Sequence, residues 1–120
     1  MTIYDLEERT YQFAKRCRTL VKNLPRTLGN VEDGRQLIRS SGSVAANYIE
    51  ANEAVSRKDF VLRVKIALKE AKESRLWHRL CEAGEHSSSQ DEPQSLMAEA
   101  GELCKIFGAI LEKTKENPKH

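Results

Sequence analysis

A row of polar residues near the middle of the chain has the side-chain types that could carry chemistry. Ser43, Asn47 and Glu50 recur at intervals of four and three residues, so a helix places them on one side. Glu70 and Glu73 form a second pair one helical turn apart. Paired carboxylates hold two metal ions in some helical bundles, but those sites also use a Glu-x-x-His sequence on each of two helices. The chain contains no Glu-x-x-His, so the sequence predicts no metal site here.

These polar residues have two interpretations. They form either a site between two helices that binds a metal ion or RNA, or a structural network that fixes helix register or a subunit contact. We favour the structural network, because a buried polar group without a partner costs roughly 1–3 kcal/mol. The residues assigned to this network or subunit contact are Arg39, Ser43, Asn47, Glu50, Glu70, Glu73 and Trp77. For Trp77, packing at a helix contact is favoured over stacking on a base.

Charge is unevenly distributed, although the net charge is only +2. Residues 57–79 contain eight Lys or Arg and three acids, whereas residues 82–102 contain six acids and no Lys or Arg. This pattern predicts a polarised molecule with an acidic end near the third loop. The basic residues that could contact the phosphates of nucleic acid are Arg57, Arg63, Lys65, Lys69, Lys72, Arg75 and Arg79. The alternative is an ordinary solvated helix face, which the neighbouring acids partly neutralise.

The motifs of common enzyme classes are missing from the sequence. No nucleophile–base arrangement, phosphate-binding glycine loop or metal-spaced cluster is present, so we expect no enzyme, no cofactor and no catalytic residue. Cys17, Cys81 and Cys104 are widely spaced and odd in number, which is typical of reduced core thiols in a cytoplasmic protein. No run of about 18 apolar residues and no signal-peptide pattern occurs, so we expect no membrane partner.

Helical periodicity, together with the residues that interrupt it, predicts the helices that position these residues. The apolar residues repeat with helical spacing in four segments, separated by Pro25, by a short turn before Ser56, and by the serine-rich stretch 85–90. The expected helices run from Thr2 or Asp5 to Leu24, Asn30 to Ala54, Ser56 to Ala83, and Asp91 or Glu92 to Lys115. Asn30 and Ser56 are the expected N-caps of the second and third helices, and Gly84 is the expected C-terminal stop of the third. The prediction is one all-α domain, residues 1–120, folded as an antiparallel up-down-up-down four-helix bundle.

The apolar seams of the two central helices predict which side chains are buried. The expected seam of the second helix is Leu37, Ile38, Ser41, Val44, Ala45, Tyr48, Ile49 and Asn52, and that of the third is Phe60, Val61, Val64, Ala67, Leu68, Ala71, Leu80 and Cys81. Gly34 and Gly42 are unfavourable in a helix interior, which indicates close packing, with a simple bend as an equal alternative at Gly42. Gly101 and Gly108 on the fourth helix are expected to let another backbone approach.

The two central helices resemble a known family, the bacterial four-helix bundle proteins first described as encoded by intervening sequences in 23S rRNA genes. That family has the pattern R-x-x-x-S-[VI]-x-x-N-I-x-E, a short turn, K-[DE]-F, and then I-A-[LK]-x-E-A-x-E-[ST]-x-x-W. The matching residues here are Arg39, Ser43, Val44, Asn47, Glu50, Lys58, Asp59, Phe60, Ile66, Ala67, Lys69, Glu70, Ala71, Glu73, Ser74 and Trp77. Tyr48 departs from the usual aliphatic residue, and Ala51 and Asn52 stand where many members have a glycine soon after the glutamate.

The resemblance implies that the protein assembles into an oligomer, and it leaves the identity of its partner open. It implies a cytoplasmic homo-oligomer without assigned catalysis, expected to be a ring of five bundles around a central channel. A similar fold occurs in the accessory variability determinant protein of retroelements, which works with a reverse transcriptase and nucleic acid. Two hypotheses follow: an oligomeric scaffold that binds RNA, DNA or a reverse transcriptase-like enzyme, or a purely structural homo-oligomer with a protein or small-molecule ligand. Because fold does not fix function, both stay open at this point.

Overall fold

Four helices make up the computed structural model, which describes residues 3–82 and 91–116. They are α1 (Ile3–Lys22), α2 (Leu28–Asn52), α3 (Arg57–Leu80) and α4 (Asp91–Glu116). No strand occurs within those ranges. Each helix packs against its neighbour in the chain, and α1 also contacts α4, so the four close into a square. The helices α2 and α3 are antiparallel, because Ser40 contacts Ser74 whereas Asn47, later on α2, contacts Arg63, earlier on α3. The all-α antiparallel bundle is therefore confirmed.

The core is built from apolar side chains of all four helices. α1 contributes Leu6, Phe13 and Cys17, and α4 contributes a seam that is almost fully buried. The α4 seam consists of Leu96, Ala100, Leu103 and Phe107. Between α2 and α4, the rings of Tyr48 and Phe107 approach with their centroids 6.0 Å apart. No helix in the described ranges is both long enough and apolar enough to cross a membrane.

Two of the expected core residues are exposed. The side chains of Ile49 and Leu80 are 47% and 48% exposed, so their assignment to the seams is wrong. Ile49 follows Val44 by about 1.4 turns, and Leu80 follows Ala71 by about 2.5 turns, so neither can share the core face of its helix. Smaller residues fill the core instead, namely Ser40 and Ala51 on α2.

The start of α2 differs from the prediction, and the difference identifies a structural link. Thr27 is the N-cap, because its hydroxyl accepts a hydrogen bond from the Asn30 backbone N–H at 3.1 Å. Asn30 is buried within the first turn and donates to the carbonyls of Pro25 and Glu82, at 2.9 and 2.8 Å. It also accepts from the Glu82 N–H at 2.9 Å. Asn30 therefore joins the first loop to the residues that follow α3, a role that a capping pattern does not reveal.

The limits of α3 partly match the prediction. The Ser56 hydroxyl accepts from the Asp59 N–H at 3.0 Å, which confirms Ser56 as the N-cap. The helix ends at Leu80 with Cys81 as its C-cap, three residues earlier than expected. The expected stop at Gly84 and the serine-rich loop lie outside the described residues.

Close packing explains one of the α2 glycines but not the other. A Cβ atom on Gly34 would lie 2.7 Å from a methyl carbon of Val21, so this glycine lets α1 and α2 approach. Gly42 has no atom within 4 Å of the same position, so packing within the protomer does not account for it. On α4, a Cβ on Gly101 would touch the Arg75 guanidinium at 3.9 Å, whereas Gly108 has open space.

The α2–α3 pair packs most closely, and two serines lie at its centre. Ser40 and Ser74 are fully buried, and their hydroxyl oxygens are 2.7 Å apart. We expect Ser74→Ala to lower the free energy of unfolding by about 1 kcal/mol, because the Ser40 hydroxyl keeps only a long contact with the Leu37 carbonyl. The double variant S40A/S74A should cost less than the sum of the two single variants, since it leaves no hydroxyl without its partner. Urea denaturation of the unmodified protein, the single variants S40A and S74A, and the double variant measures this coupling. Strict additivity of the two single losses in the free energy of unfolding would contradict it.

Candidate nucleic-acid interface

The predicted polar residues of α2 and α3 meet around one arginine. The Arg39 guanidinium contacts Glu70 at 3.1 Å and Glu73 at 3.4 Å. Glu70 is only 7% exposed. Burial opposes its ionisation, but hydrogen bonds from Arg39 and Ser43 outweigh that effect and lower the pKa of the carboxyl group. Arg39 therefore supplies the charge that a buried carboxylate between two helices requires.

The other polar residues of the predicted network differ in whether they have partners within the protomer. Asn47 donates to the Ser43 carbonyl and hydroxyl at 2.9 and 3.0 Å, and it accepts from Arg63 at 3.3 Å. Glu50 is exposed and makes no hydrogen bond or ion pair with any described residue. Trp77 packs against the core with its indole N–H buried and unpaired. The arrangement links Ser43 and Asn47 to α3, while a subunit contact at Glu50 stays a prediction.

Three of the seven basic candidates already have partners within the protomer. Arg57 donates to the Thr114 carbonyl and so ties α3 to the end of α4. Arg63 bonds Asn47 and lies 3.9 Å from Asp59. Lys69 lies 4.0 Å from Glu73. These contacts make Arg57, Arg63 and Lys69 poor choices for binding phosphate.

The other four basic candidates are exposed on α3. Lys65, Lys72 and Arg79 follow one another at seven-residue intervals, so they line one side of the helix, with Arg75 beside them. None of the four forms an ion pair with a residue in the described ranges. Lys58 is exposed seven residues before Lys65 and extends the same side. Its place in the row could have been found from the seven-residue spacing. We call Lys58, Lys65, Lys72, Arg75 and Arg79 the basic row.

Two acids of α4 pair with arginines of α1. Glu99 makes two hydrogen bonds with the Arg9 guanidinium, at 2.7 and 2.8 Å, and Glu92 contacts Arg16 at 2.8 Å. The hydrogen bond from Arg9 to Glu99, opposed by partial burial and assisted by the charges of Glu99 and Glu102, raises the pKa of Arg9. The negative charge of α4 is thus partly neutralised on the far side from the basic row. The predicted acidic end includes loop residues outside the described ranges and stays a prediction.

The groove between α3 and α4 is neutral on its α4 side. The Arg75 guanidinium lies over Gly101, and burial raises the pKa of Cys104 while the charges of Lys72 and Arg75 oppose that rise. Both observations place Lys72 and Arg75 against a part of α4 that carries small and uncharged residues. The basic row therefore keeps its positive potential, which is what attraction of a polyanion requires.

The three thiols are not arranged for chemistry. All are free, and Cys17 is fully buried, as expected for a core thiol. Burial raises the pKa of Cys17 to about 12 and that of Cys81 to about 11, so neither is an active nucleophile at neutral pH. Across residues 3–82 and 91–116, no three His, Cys, Asp or Glu side chains come together as metal ligands.

Comparison with known proteins agrees with this architecture. A sequence profile described as 23S rRNA-intervening sequence protein matches residues 4–109. Among solved structures, the chain is similar to a protein of unknown function from the S23 ribosomal protein family of Bacteroides thetaiotaomicron VPI-5482. The two share 29% sequence identity with a TM-score of 0.78, over 93% of this chain and 99% of the other. A search of curated proteins finds no match. The bundle, its central polar pattern and the match over most of its length show that the chain belongs to the 23S rRNA-intervening sequence protein family.

Proposed function

We propose that this protein is a non-catalytic, homo-oligomeric scaffold that binds nucleic acid through the basic row of α3. One observation carries the proposal: Lys65, Lys72, Arg75 and Arg79 are exposed together without an ion-pair partner in the described part of the protomer. Arg9, Arg16 and Arg39, by contrast, are paired with carboxylates. From Lys58 to Arg79 the row extends about 30 Å along the helix, which is long enough to meet several phosphates.

Oligomerisation strengthens this proposal. A single bundle presents a modest charge, but five copies in a ring would present five parallel rows, and their fields would add. Binding would then depend steeply on salt, because each contacted phosphate releases counterions.

Retention of the intact protein on immobilised RNA or heparin tests the proposal. We expect tight retention at 50 mM salt and release by a few hundred millimolar salt, with affinity falling linearly on a log–log plot. Absence of retention at low micromolar protein and 50 mM salt would contradict it, and it would leave the purely structural oligomer as the better hypothesis.

A second observation favours the alternative function, a purely structural homo-oligomer. Leu62, Leu76 and Leu80 are 52%, 47% and 48% exposed, and helical spacing places them on one side of α3. We call these three residues the apolar stripe. Exposed leucines aligned over five turns are typical of a surface that another protein covers. Leu62 lines one surface cavity together with Lys58 and Lys65, so a second copy that covered the apolar stripe would also cover part of the basic row. Self-association through this stripe therefore belongs to the alternative function, for which we propose, following the family resemblance, a pentamer as the assembly.

Leu76→Glu tests this interface. A carboxylate in the middle of the apolar stripe would have to lose its water in the oligomer, so we expect the variant to elute and scatter light as a smaller species than the unmodified protein. Tyr11→Glu is the matched control, because Tyr11 is also 50% exposed but lies on α1. An unchanged mass for L76E, with the unmodified protein oligomeric, would show that another face makes the contact.

A further inference from the structure

A groove opens where the basic row reaches the end of α3. It lies between α3 and the start of α4 and has a volume of about 450 Å³, which is within the range of small-molecule sites. Arg75 and Arg79 line it on one side, and Pro93, Met97 and Ala98 line it on the other. No acidic side chain is among the lining residues that the structure describes. The groove therefore combines a cationic edge with an apolar wall.

His78 gives this groove an unused hydrogen-bonding group. The residue lines the groove and is 7% exposed, yet neither ring nitrogen has a hydrogen-bond partner. Burial lowers the pKa of His78, so at neutral pH the ring is uncharged and carries one donor and one acceptor. A buried polar group without a partner destabilises the free protein, and a ligand that paired with His78 would recover part of that cost.

We propose that this groove holds one unstacked nucleotide of a single-stranded nucleic acid. Arg75 and Arg79 bind its phosphate, its base packs on Met97 and Ala98, and a polar edge of the base pairs with His78. Both imidazole nitrogens are covered in the free protein, so the proposal requires a side chain that lines the groove to move when the nucleotide enters. This inference rests on the proposed function and deepens it, since it specifies single strands over duplexes.

A bare anion fits the groove less well than a nucleotide. Phosphate alone would use the two arginines but leave the apolar wall and the imidazole without contacts. A base supplies both a flat apolar surface and hydrogen-bonding edges, which is how proteins commonly recognise single-stranded RNA. A duplex keeps its bases stacked, so it can reach the basic row but not the groove.

Filling the groove without changing its charge is the decisive experiment. The variant Ala98→Phe places a ring in the groove, and Ala109→Phe is the matched control, an exposed alanine three turns further along α4. Trp77, the only tryptophan of the chain and the neighbour of His78, reports binding by its fluorescence. The probes are uridine monophosphate, inorganic phosphate, a single-stranded 12-mer and the corresponding duplex.

We expect A98F to weaken the 12-mer and uridine monophosphate at least tenfold and to leave the duplex unchanged, with A109F behaving like the unmodified protein. Equal binding of inorganic phosphate and uridine monophosphate, or equal affinity of A98F and A109F for the 12-mer, would overturn the inference. If the duplex and the 12-mer still bind with a steep salt dependence in that case, the proposed function stands without the groove. If neither binds to any of the proteins, the proposed function fails as well.

Discussion

Reversing the charge of three residues in the basic row is expected to weaken binding of RNA by about 100-fold or more. The variant K65E/K72E/R79E removes three phosphate contacts, each of which contributes about 0.7 to the slope of log affinity against log salt for a single strand. The slope should therefore fall by about 2, which lowers the affinity at 0.1 M salt by about 100-fold, and repulsion by the new carboxylates lowers it further. Titration of a labelled single-stranded RNA at several salt concentrations measures both quantities.

A control with the same change of net charge separates local contacts from bulk attraction. The variant R18E/K22E/K113E alters three exposed cations on α1 and α4 that have no ion pair within the described ranges. We expect it to keep most of the slope and to lose at most a few-fold in affinity. Equal losses in the two triple variants would show that only the overall charge matters. Unchanged binding by K65E/K72E/R79E, with a normal unfolding curve, would exclude the basic row.

The helices and their order could be predicted because local signals agree. Apolar residues at helical spacing, a proline after α1 and a capping serine before α3 all indicate the same four segments. The boundary of α2 was predicted less well, because Thr27 and Asn30 are both good capping residues. The choice between them depends on Glu82, whose backbone Asn30 binds from 52 residues away. A contact of that kind leaves no trace in the sequence near Asn30.

The candidate site was predicted only as a set of residue types. Lys69 and Lys72 are equivalent in the sequence, yet Lys69 lies 4.0 Å from Glu73 whereas Lys72 faces the neutral groove near Cys104. Which cations stay unpaired depends on the rotation of each helix about its axis, and that rotation is set by packing of the whole core. The pairing of the α4 acids with Arg9 and Arg16 likewise requires contacts between the two ends of the chain.

His78 was missed for a related reason. It lies on the core side of α3 between Arg75 and Arg79, and its sequence neighbours indicate a solvated basic face. Its importance comes from being buried with both nitrogens unpaired, which is a property of the packed helices and not of the local sequence. The polar residues between α2 and α3 were easier to predict, since opposite charges near the seams of two adjacent helices tend to meet.

Replacing Arg39 is expected to have the largest effect on stability. Arg39→Met leaves the carboxylate of Glu70, whose side chain is only 10% exposed, between two helices without its cation. Breaking a fully buried ion pair costs about 3–5 kcal/mol, but the Arg39 side chain is 51% exposed and solvent screens part of the interaction. We therefore expect a loss of about 2 kcal/mol in the free energy of unfolding at pH 7, measured by urea denaturation.

The pH dependence of that loss identifies its cause. In the unmodified protein the pKa of Glu70 is lowered on folding, so its contribution to stability is present above about pH 4.5 and is lost as the pH falls through the folded pKa. In R39M the same carboxyl is buried without a cation, so its folded pKa rises above the unfolded value and protonation stabilises the fold. The stability difference between the two proteins should therefore shrink between pH 7 and pH 4.

Two further variants make the interpretation of R39M decisive. Lys69→Met removes an exposed cation 4.0 Å from Glu73 and should cost less than about 0.5 kcal/mol. The double variant R39M/E70M replaces both partners by apolar side chains and should recover most of the loss, because no buried charge is left behind. Two results would contradict this role of Arg39: a loss for R39M no larger than that for K69M, or a loss for R39M that is the same at pH 4 as at pH 7. In either case Arg39 is not the cation that allows Glu70 to be buried. The contact between α2 and α3 would then depend on their apolar and serine packing alone.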